Sequence, residues 1–324
     1  MARGDLSEQL DRLVDAIFAG PASARPEVDA DVAALTELVA ALRALPRPDF
    51  KEKLKTELMR RATMPVAQET KKQDRQTRQL RTVTPYLIAA RGEEMFDFVK
   101  NVFGAQELSR DIGSAGGYHC EMRIGDSILM LGGGARYKGP SHPGSIHIKV
   151  DNVDEVYRRA IEAGATSLHE PMNMEYGERG AAFKDPFGNT WYPATPMGKT
   201  HWLPEMGTAV PYLHPRGADK MIEFLKQAFG AEEMERYAPQ GTILHAKVRV
   251  GDSVLEMGEA HGPYEALEST FFMSVANADQ AYTRAVAAGA EPVSPPADLP
   301  FGARVGTVRD PFGNTWYLAT ETAK

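Results

Sequence analysis

The chain has a single cysteine, Cys120, so no internal disulfide can form and a disulfide-stapled secreted scaffold is excluded. No apolar run approaches the roughly 18 residues a bilayer crossing needs, so no membrane partner is expected. The opening Met1-Ala2-Arg3-Gly4-Asp5 and the residues after it contain no apolar export core. That predicts no secretory signal and, together with the lone thiol, a cytoplasmic location. Basic charge is also in short supply: 37 Lys and Arg stand against 44 Asp and Glu, a net −7, which argues against electrostatic binding of nucleic acid.

What is present is an ordinary globular balance, 43% hydrophobic and 25% charged over 324 residues, enough for two or three domains. Residues 1–64 read as a helical arm. Leu6, Leu10, Leu13 and Ile17 share one helical face, Val32, Leu35, Leu38, Leu42 and Leu45 a second, and Phe50, Leu54 and Leu58 a third. Three short helices make a marginal core, so the arm is expected to pack on the rest of the chain, on a second copy in a homodimer, or on a protein partner. Residues 65–81 set Lys71, Lys72, Arg75, Arg78 and Arg81 against Glu69 and Asp74 with few apolar residues, and read as a solvated basic linker.

The remainder is a duplication. Thr84-Pro85-Tyr86-Leu87 returns as Val210-Pro211-Tyr212-Leu213, Phe103-Gly104-Ala105 as Phe229-Gly230-Ala231, and Gly125-Asp126-Ser127 as Gly251-Asp252-Ser253. The run Asp185-Pro186-Phe187-Gly188-Asn189-Thr190-Trp191-Tyr192 reappears unchanged at 310–317. Registered agreement over such a span marks two copies of one domain, 82–197 and 208–324, joined by a connector at 198–207. Within the first copy, periodicity predicts strands at 83–88, 107–111, 119–124 and 127–131, with a helix after the first strand that buries Met95, Phe96, Val99 and Val102. A second such set follows: a strand at 145–150, a helix at 154–163 and short strands near 167–168, 181–183 and 190–193. The class is α+β, with four strand–helix–three-strand units in all.

These motifs, and the βαβββ order they punctuate, resemble the vicinal oxygen chelate (VOC) superfamily, which includes glyoxalase I, bleomycin-resistance proteins and extradiol dioxygenases. Pro-Tyr-Leu, Phe-Gly-Ala, Gly-Asp-Ser and Asp-Pro-Phe-Gly-Asn-x-Trp look most like its PhnB-like branch. The resemblance covers both copies, about three quarters of the chain, and leaves the arm outside. It implies tandem VOC domains, each a pair of βαβββ units curled round a cavity, and a range of activities from lyases and dioxygenases to plain binding proteins. It also implies a metal held by a His or Gln from the first strand of each unit and a Glu from the last. In this chain those positions fall on Thr84 or Pro85, Met130, about Ser145 and Tyr192, then on Val210 or Pro211, Glu256, about Thr270 and Tyr317. Only Glu256 is a ligand type, so no metal cofactor is assigned. A divalent ion on a non-standard set such as His119, Glu121 and His147 stays open.

Strand alternation separates core from cavity positions. Cys120, Met122 and Ile124 point to the core, which leaves His119, Glu121 and Arg123 on the other face. By the same rule His147, with Ser145 and Lys149, faces the cavity, as do His245, Lys247 and Arg249, and Phe272 with Thr270. Tyr86, Tyr192, Tyr212 and Tyr317 are candidate aromatic walls, and Met130 a further contact. Glu256, His119 and His245 are the candidate acid–base groups. Each has a plainer reading: the histidines as structural hydrogen bonders, Glu256 as the partner of Arg249 or Lys247. Trp191 and Trp316 face the core. Gly132-Gly133-Gly134 follows a strand but opens no helix, so it reads as a loop at the cavity mouth, as do 259–269 and 172–180. These faces look polar and partly cationic, which suits a small polar or anionic ligand. The alternatives are a metal-dependent lyase or dioxygenase and a metabolite-sensing regulator that uses the arm.

Overall fold

Four strand–helix–three-strand modules follow one another from Thr82 onward. The computed structural model describes residues 80–322 apart from 114, 115, 135 and 201, and Leu80–Lys324 forms one compact unit. The predicted helices of 1–64 and the basic stretch up to residue 79 lie outside the described residues.

Module one holds β1 (Val83–Ala89), α1 (Gly92–Phe103), β2 (Gln106–Ile112), β3 (Tyr118–Ile124) and β4 (Ser127–Gly133). Module two holds β5 (Ser145–Lys149), α2 (Val153–Glu162), β6 (Thr166–Met174), β7 (Glu178–Lys184) and β8 (Thr190–Pro196). Module three holds β9 (Ala209–Leu213), α3 (Ala218–Phe229), β10 (Glu232–Tyr237), β11 (His245–Val250) and β12 (Ser253–Met257). Module four holds β13 (Thr270–Ser274), α4 (Ala278–Ala287), β14 (Glu291–Leu299), β15 (Ala303–Arg309) and β16 (Thr315–Glu321). The predicted order holds. Two expected mouth loops differ: 172–180 is the turn and flanks of the β6–β7 hairpin, and Gly132 and Gly133 belong to β4, where they pair with β1 and β3.

Local signals account for the helices. Asn152 and Asn277 cap α2 and α4, their side chains accepting from the amides of Glu155 and Gln280 at 3.1 and 2.9 Å. Gly104 and Gly230 end α1 and α3 in the left-handed conformation. The helices bury one face each, and the core divides by copy. One cluster joins Met95, Phe96 and Val99 of α1 to Ile146, Phe183 and Trp191 of module two. The other joins Ile222 and Leu225 of α3 to Phe271, Val308 and Trp316 of module four.

The sheets divide differently. Two eight-stranded sheets run in the orders β14-β15-β16-β13-β1-β4-β3-β2 and β10-β11-β12-β9-β5-β8-β7-β6. The seams are antiparallel, Thr84 opposite Phe272 in the first sheet and His147 opposite Val210 in the second. Each sheet therefore takes one module from each copy, while each copy keeps its own core. The short connector explains the second seam: it carries the chain from β8 past the neighbouring β5 to β9 on its far side.

The repeated motifs hold this arrangement. The Gly-Asp-Ser turn of each copy clamps the first strand of the other. Asp126 Oδ1 accepts from the Thr208 amide at 2.7 Å and Ser127 Oγ from the Ala209 amide at 3.0 Å. Asp252 and Ser253 do the same for Thr82 and Val83 at 2.6 and 2.8 Å. Gly125 and Gly251 have φ of 57° and 60°, and a Cβ on either would collide with the Thr208 or Thr82 side chain, so glycine is required twice over. The Asp-Pro-Phe-Gly-Asn-x-Trp run is a turn lock. Asp185 accepts from the amides of Phe187 and Asn189, the Asn189 side chain and the Trp191 indole, all at 2.8–2.9 Å, and Asp310 repeats the pattern around Trp316. Both tryptophans are fully buried, as alternation predicts. Asp185→Ala leaves the buried Trp191 and Asn189 donors without an acceptor. It should lower stability by about 2–3 kcal/mol in urea denaturation, with Asp310→Ala matching it.

Among the described residues, no helix is long and apolar enough to cross a membrane.

Candidate functional site

The helices cover one face of each sheet, and the chemistry lies on the other. On the inner face of the second sheet, register places Tyr212 beside Glu256, Glu256 beside Lys247, and His147 beside Tyr192. Their side chains form a continuous series. The Tyr212 hydroxyl is hydrogen-bonded to His245 Nδ1 at 3.1 Å, and His245 Nε2 stands 3.6 Å from Glu256 Oε1. Glu256 Oε2 meets His147 Nδ1 at 2.6 Å, and His147 Nε2 lies 3.5 Å from Glu178 Oε2. Thr200 Oγ1 of the connector closes the series by donating to Glu178 Oε1 at 3.0 Å. His147, Glu178 and Glu256 are all buried. Burial by itself pushes the His147 pKa down, but the carboxylates on either side overcome it and hold the ring protonated, its pKa up at about 9. Glu256 is thus paired, as its plainer reading holds, and the pairing reaches His147 of the other copy.

Aromatic rings stand over this floor. His214 stacks between Tyr212 and Tyr264, at 4.8 and 5.5 Å between centroids, and its Nε2 is hydrogen-bonded to the Tyr192 hydroxyl at 3.0 Å. Burial keeps His214 neutral, its pKa near 4, and pushes the Tyr192 and Tyr212 hydroxyls far above the ordinary phenol range. Trp202 of the connector packs its ring 4.7 Å from His147. With Leu203 it joins the buried Met206, Val210 and Val254.

The first sheet is built on the same scheme with different chemistry. Tyr86 is hydrogen-bonded to His119 Nδ1 at 3.0 Å and lies 6.2 Å from the Tyr317 ring, while His119 Nε2 is 4.0 Å from Glu121. Met130 is paired with Tyr86 and Glu121, and Phe272 with Tyr317. Ala303, Val305 and Ala319 form a small apolar cluster against Phe272 and Tyr317.

Several expectations change. A metal site from His119, Glu121 and His147 is ruled out as a grouping, because β3 and β5 belong to different sheets. On the second module's first strand the donor residue is His147, two positions beyond Ser145. The expected cationic character of these faces is cancelled locally: Lys247 pairs with Glu235 at 2.7 Å, Arg249 with Glu232, and His147 with its two carboxylates. Arg249 and Arg123 sit at the turn ends of their strands, opposite Val254 and Ile128, rather than beside the tyrosines. Cys120 is buried, and burial raises its thiol to about 11, which fits its expected place in the core. Glu178, His214, Tyr264 and Trp202 were not foreseen. Counting back from core-facing Phe183 by twos and threes would have put Glu178 on the inner face; Trp202 had no such signal.

The family resemblance implies a metal. Two histidines and two glutamates have the right chemistry, but they pair with one another, and His147 presents a proton to a carboxylate from each ring nitrogen. Among the described residues, no three His, Cys, Asp or Glu side chains stand so as to hold an ion. As arranged, the residues do not fit the group, and no step is derived through it.

Comparison with known proteins agrees with the architecture. Glyoxalase I from Zea mays superposes with a TM-score of 0.55 at 15% identity, covering 74% of this chain and 92% of that one, a likeness of fold. Uncharacterized proteins of Mycobacterium bovis and Mycobacterium tuberculosis are 30% identical over 126 residues. Each match covers 36% of this chain, and 83% and 74% of the relatives respectively, so they correspond to one copy of the repeat. The model of the Glyoxalase/Bleomycin resistance protein/Dioxygenase superfamily matches residues 80–192 and again 215–318. Two matches on a duplicated βαβββ scaffold leave one conclusion: the chain belongs to the glyoxalase/bleomycin resistance/dioxygenase (VOC) superfamily.

Proposed function

We propose that this protein binds a small polar molecule on the inner face of its second sheet, without a metal. The observation that carries this is His147, held protonated between Glu256 and Glu178 where a metal-dependent relative would need open donors. The hydroxyls of Tyr192 and Tyr212 and the neutral ring of His214 are the groups left to read a ligand, and each can donate or accept. The buried series sets two glutamates, Glu256 and Glu178, against His147. That balance favours a neutral or cationic polar molecule over an anion. We place this function in the cytoplasm, on the lone buried thiol and the acidic composition.

Protein purified without a metal-affinity tag should carry no stoichiometric divalent ion by elemental analysis. Neutral or cationic polar compounds at about a hundredfold their dissociation constant should stabilise it by about 2–3 kcal/mol in thermal-shift assays. The shift should vanish in the Tyr192→Phe/Tyr212→Phe double variant. One ion per chain, lost in Glu256→Gln, would replace this reading with a metal-dependent lyase or dioxygenase; ligands confined to dianions would overturn it as well.

A further inference from the structure

The duplication allows the two inner faces to be compared position by position. Register fixes the equivalences: His147 lies beside Tyr192 as Phe272 lies beside Tyr317, and Glu256 beside Tyr212 as Met130 beside Tyr86. Glu178 opposite Pro196 matches Ala303 opposite Glu321. Three buried ionisable residues of the second sheet, His147, Glu256 and Glu178, are thus replaced by Phe272, Met130 and Ala303 in the first, while the buried Lys247 is replaced by Glu121. His214 is likewise replaced by Ile88.

This exchange changes what each face can hold. The ionisable groups of this face, His119 and Glu121, stand together on β3; a charge placed instead beside Phe272 and Tyr317 would have Met130 and the Ala303–Val305–Ala319 cluster for surroundings and would be poorly compensated. Ring faces, by contrast, are well supplied by Tyr86, Tyr317 and Phe272, all only partly buried. A second observation points to a ligand. Thr270, at the start of β13, is 2% exposed, and its hydroxyl has no hydrogen-bond partner. Its counterpart Ser145 in the second sheet engages Tyr192. A buried hydroxyl left in this state is costly unless something else satisfies it.

We propose that the inner face of the first sheet is a separate binding site for an uncharged, ring-bearing molecule, its ring among Tyr86, Phe272 and Tyr317 and one hydrogen-bonding group directed to Thr270. The site is independent of the polar one in the second sheet. The duplication has therefore produced two sites of opposite character on one scaffold.

N-phenyl-1-naphthylamine, an uncharged two-ring amine that fluoresces in apolar surroundings, is a suitable probe for the full-length protein. The expected result is a saturable rise with one probe per chain. Met130→Glu and Phe272→His, which restore the residue types of the sister site, should each weaken binding at least about tenfold. Thr270→Val removes the hydroxyl without changing shape. It should raise the melting temperature of the free protein while weakening the probe, which keeps the test valid if the charged variants fold poorly. Ile112→Ser with Phe301→Ser removes two large apolar side chains exposed elsewhere on the surface and should leave binding intact. Absence of saturable binding would overturn the proposal, as would binding that survives all three inner-face variants or is lost with Ile112 and Phe301. None of these outcomes depends on metal content or on a ligand for the second sheet.

Discussion

Expressed apart, residues 82–207 and 208–324 should not yield folded monomers, and mixed they should recover one particle resembling the intact chain. Each fragment keeps its own hydrophobic core, so each should collapse and form much of its secondary structure. Neither keeps a complete sheet. The first fragment exposes β1 where β13 belongs and β5 where β9 belongs, two unpaired edges in the middle of what should be eight-stranded sheets. Exposed central edges of this kind recruit other strands. The clamps are lost with them, because Asp126 holds Thr208 and Asp252 holds Thr82 across the cut. Losses on this scale are comparable with the whole stability of a domain, about 5–15 kcal/mol. By light scattering after gel filtration, each fragment alone should be a dimer, pairing with itself as it does with its sister, or a larger aggregate. The mixture should give a one-to-one complex. A folded monomer of either fragment, melting close to the intact protein, would contradict the shared-sheet architecture.

The second large effect concerns His147. Removing the imidazolium leaves Glu256 and Glu178 buried side by side without their shared counter-charge, a loss of about 3–5 kcal/mol for a broken buried pair. The same residue sets a pH dependence. Its folded pKa, about 9, lies above the ordinary value of 6.5, so the folded state holds this proton more tightly than the unfolded state does. The stabilisation is therefore present in full below about pH 6.5 and disappears as pH rises through about 9, an amount on the order of 3 kcal/mol. Denaturant titrations at about pH 6 and about pH 10 should show that loss in the wild type. They should show little of it in His147→Gln, which is already destabilised at the lower pH. A wild type with the same stability at both values would mean that the folded protein does not raise the His147 pKa.

Much of this was legible beforehand, residue by residue. Alternation assigned Cys120 and Trp191 to the core and His147 and Phe272 to the inner faces, because the side chains of a strand obey a strict period of two, while Glu256 was singled out by the family's ligand position. The duplicated Asp-Pro-Phe-Gly-Asn-Thr-Trp-Tyr run announced four modules of one family. What local pattern could not supply was which inner faces meet. His147 and Glu256 are 109 residues apart, and nothing near either residue says that β5 will pair with β9. For the same reason His119 and Glu121 looked like neighbours of His147, although they stand in the other sheet. Glu178 was hidden for a local reason. Pro171, Asn173, Gly177 and Gly180 give its hairpin the composition of a loop, which masked the strand whose alternation carries the carboxylate inward.

The seams between the copies also bear on how such a gene can change. The two Asp-Pro-Phe-Gly-Asn-Thr-Trp-Tyr stretches are identical and 125 residues apart, which is the arrangement that unequal recombination uses to delete one repeat. In a tandem of self-contained domains that deletion leaves a working half. In this chain it would remove the partner strands of both sheets in one event, and Glu256, the partner of His147, with them. Loss of either copy therefore costs both sheets, even though the two inner faces have diverged in chemistry.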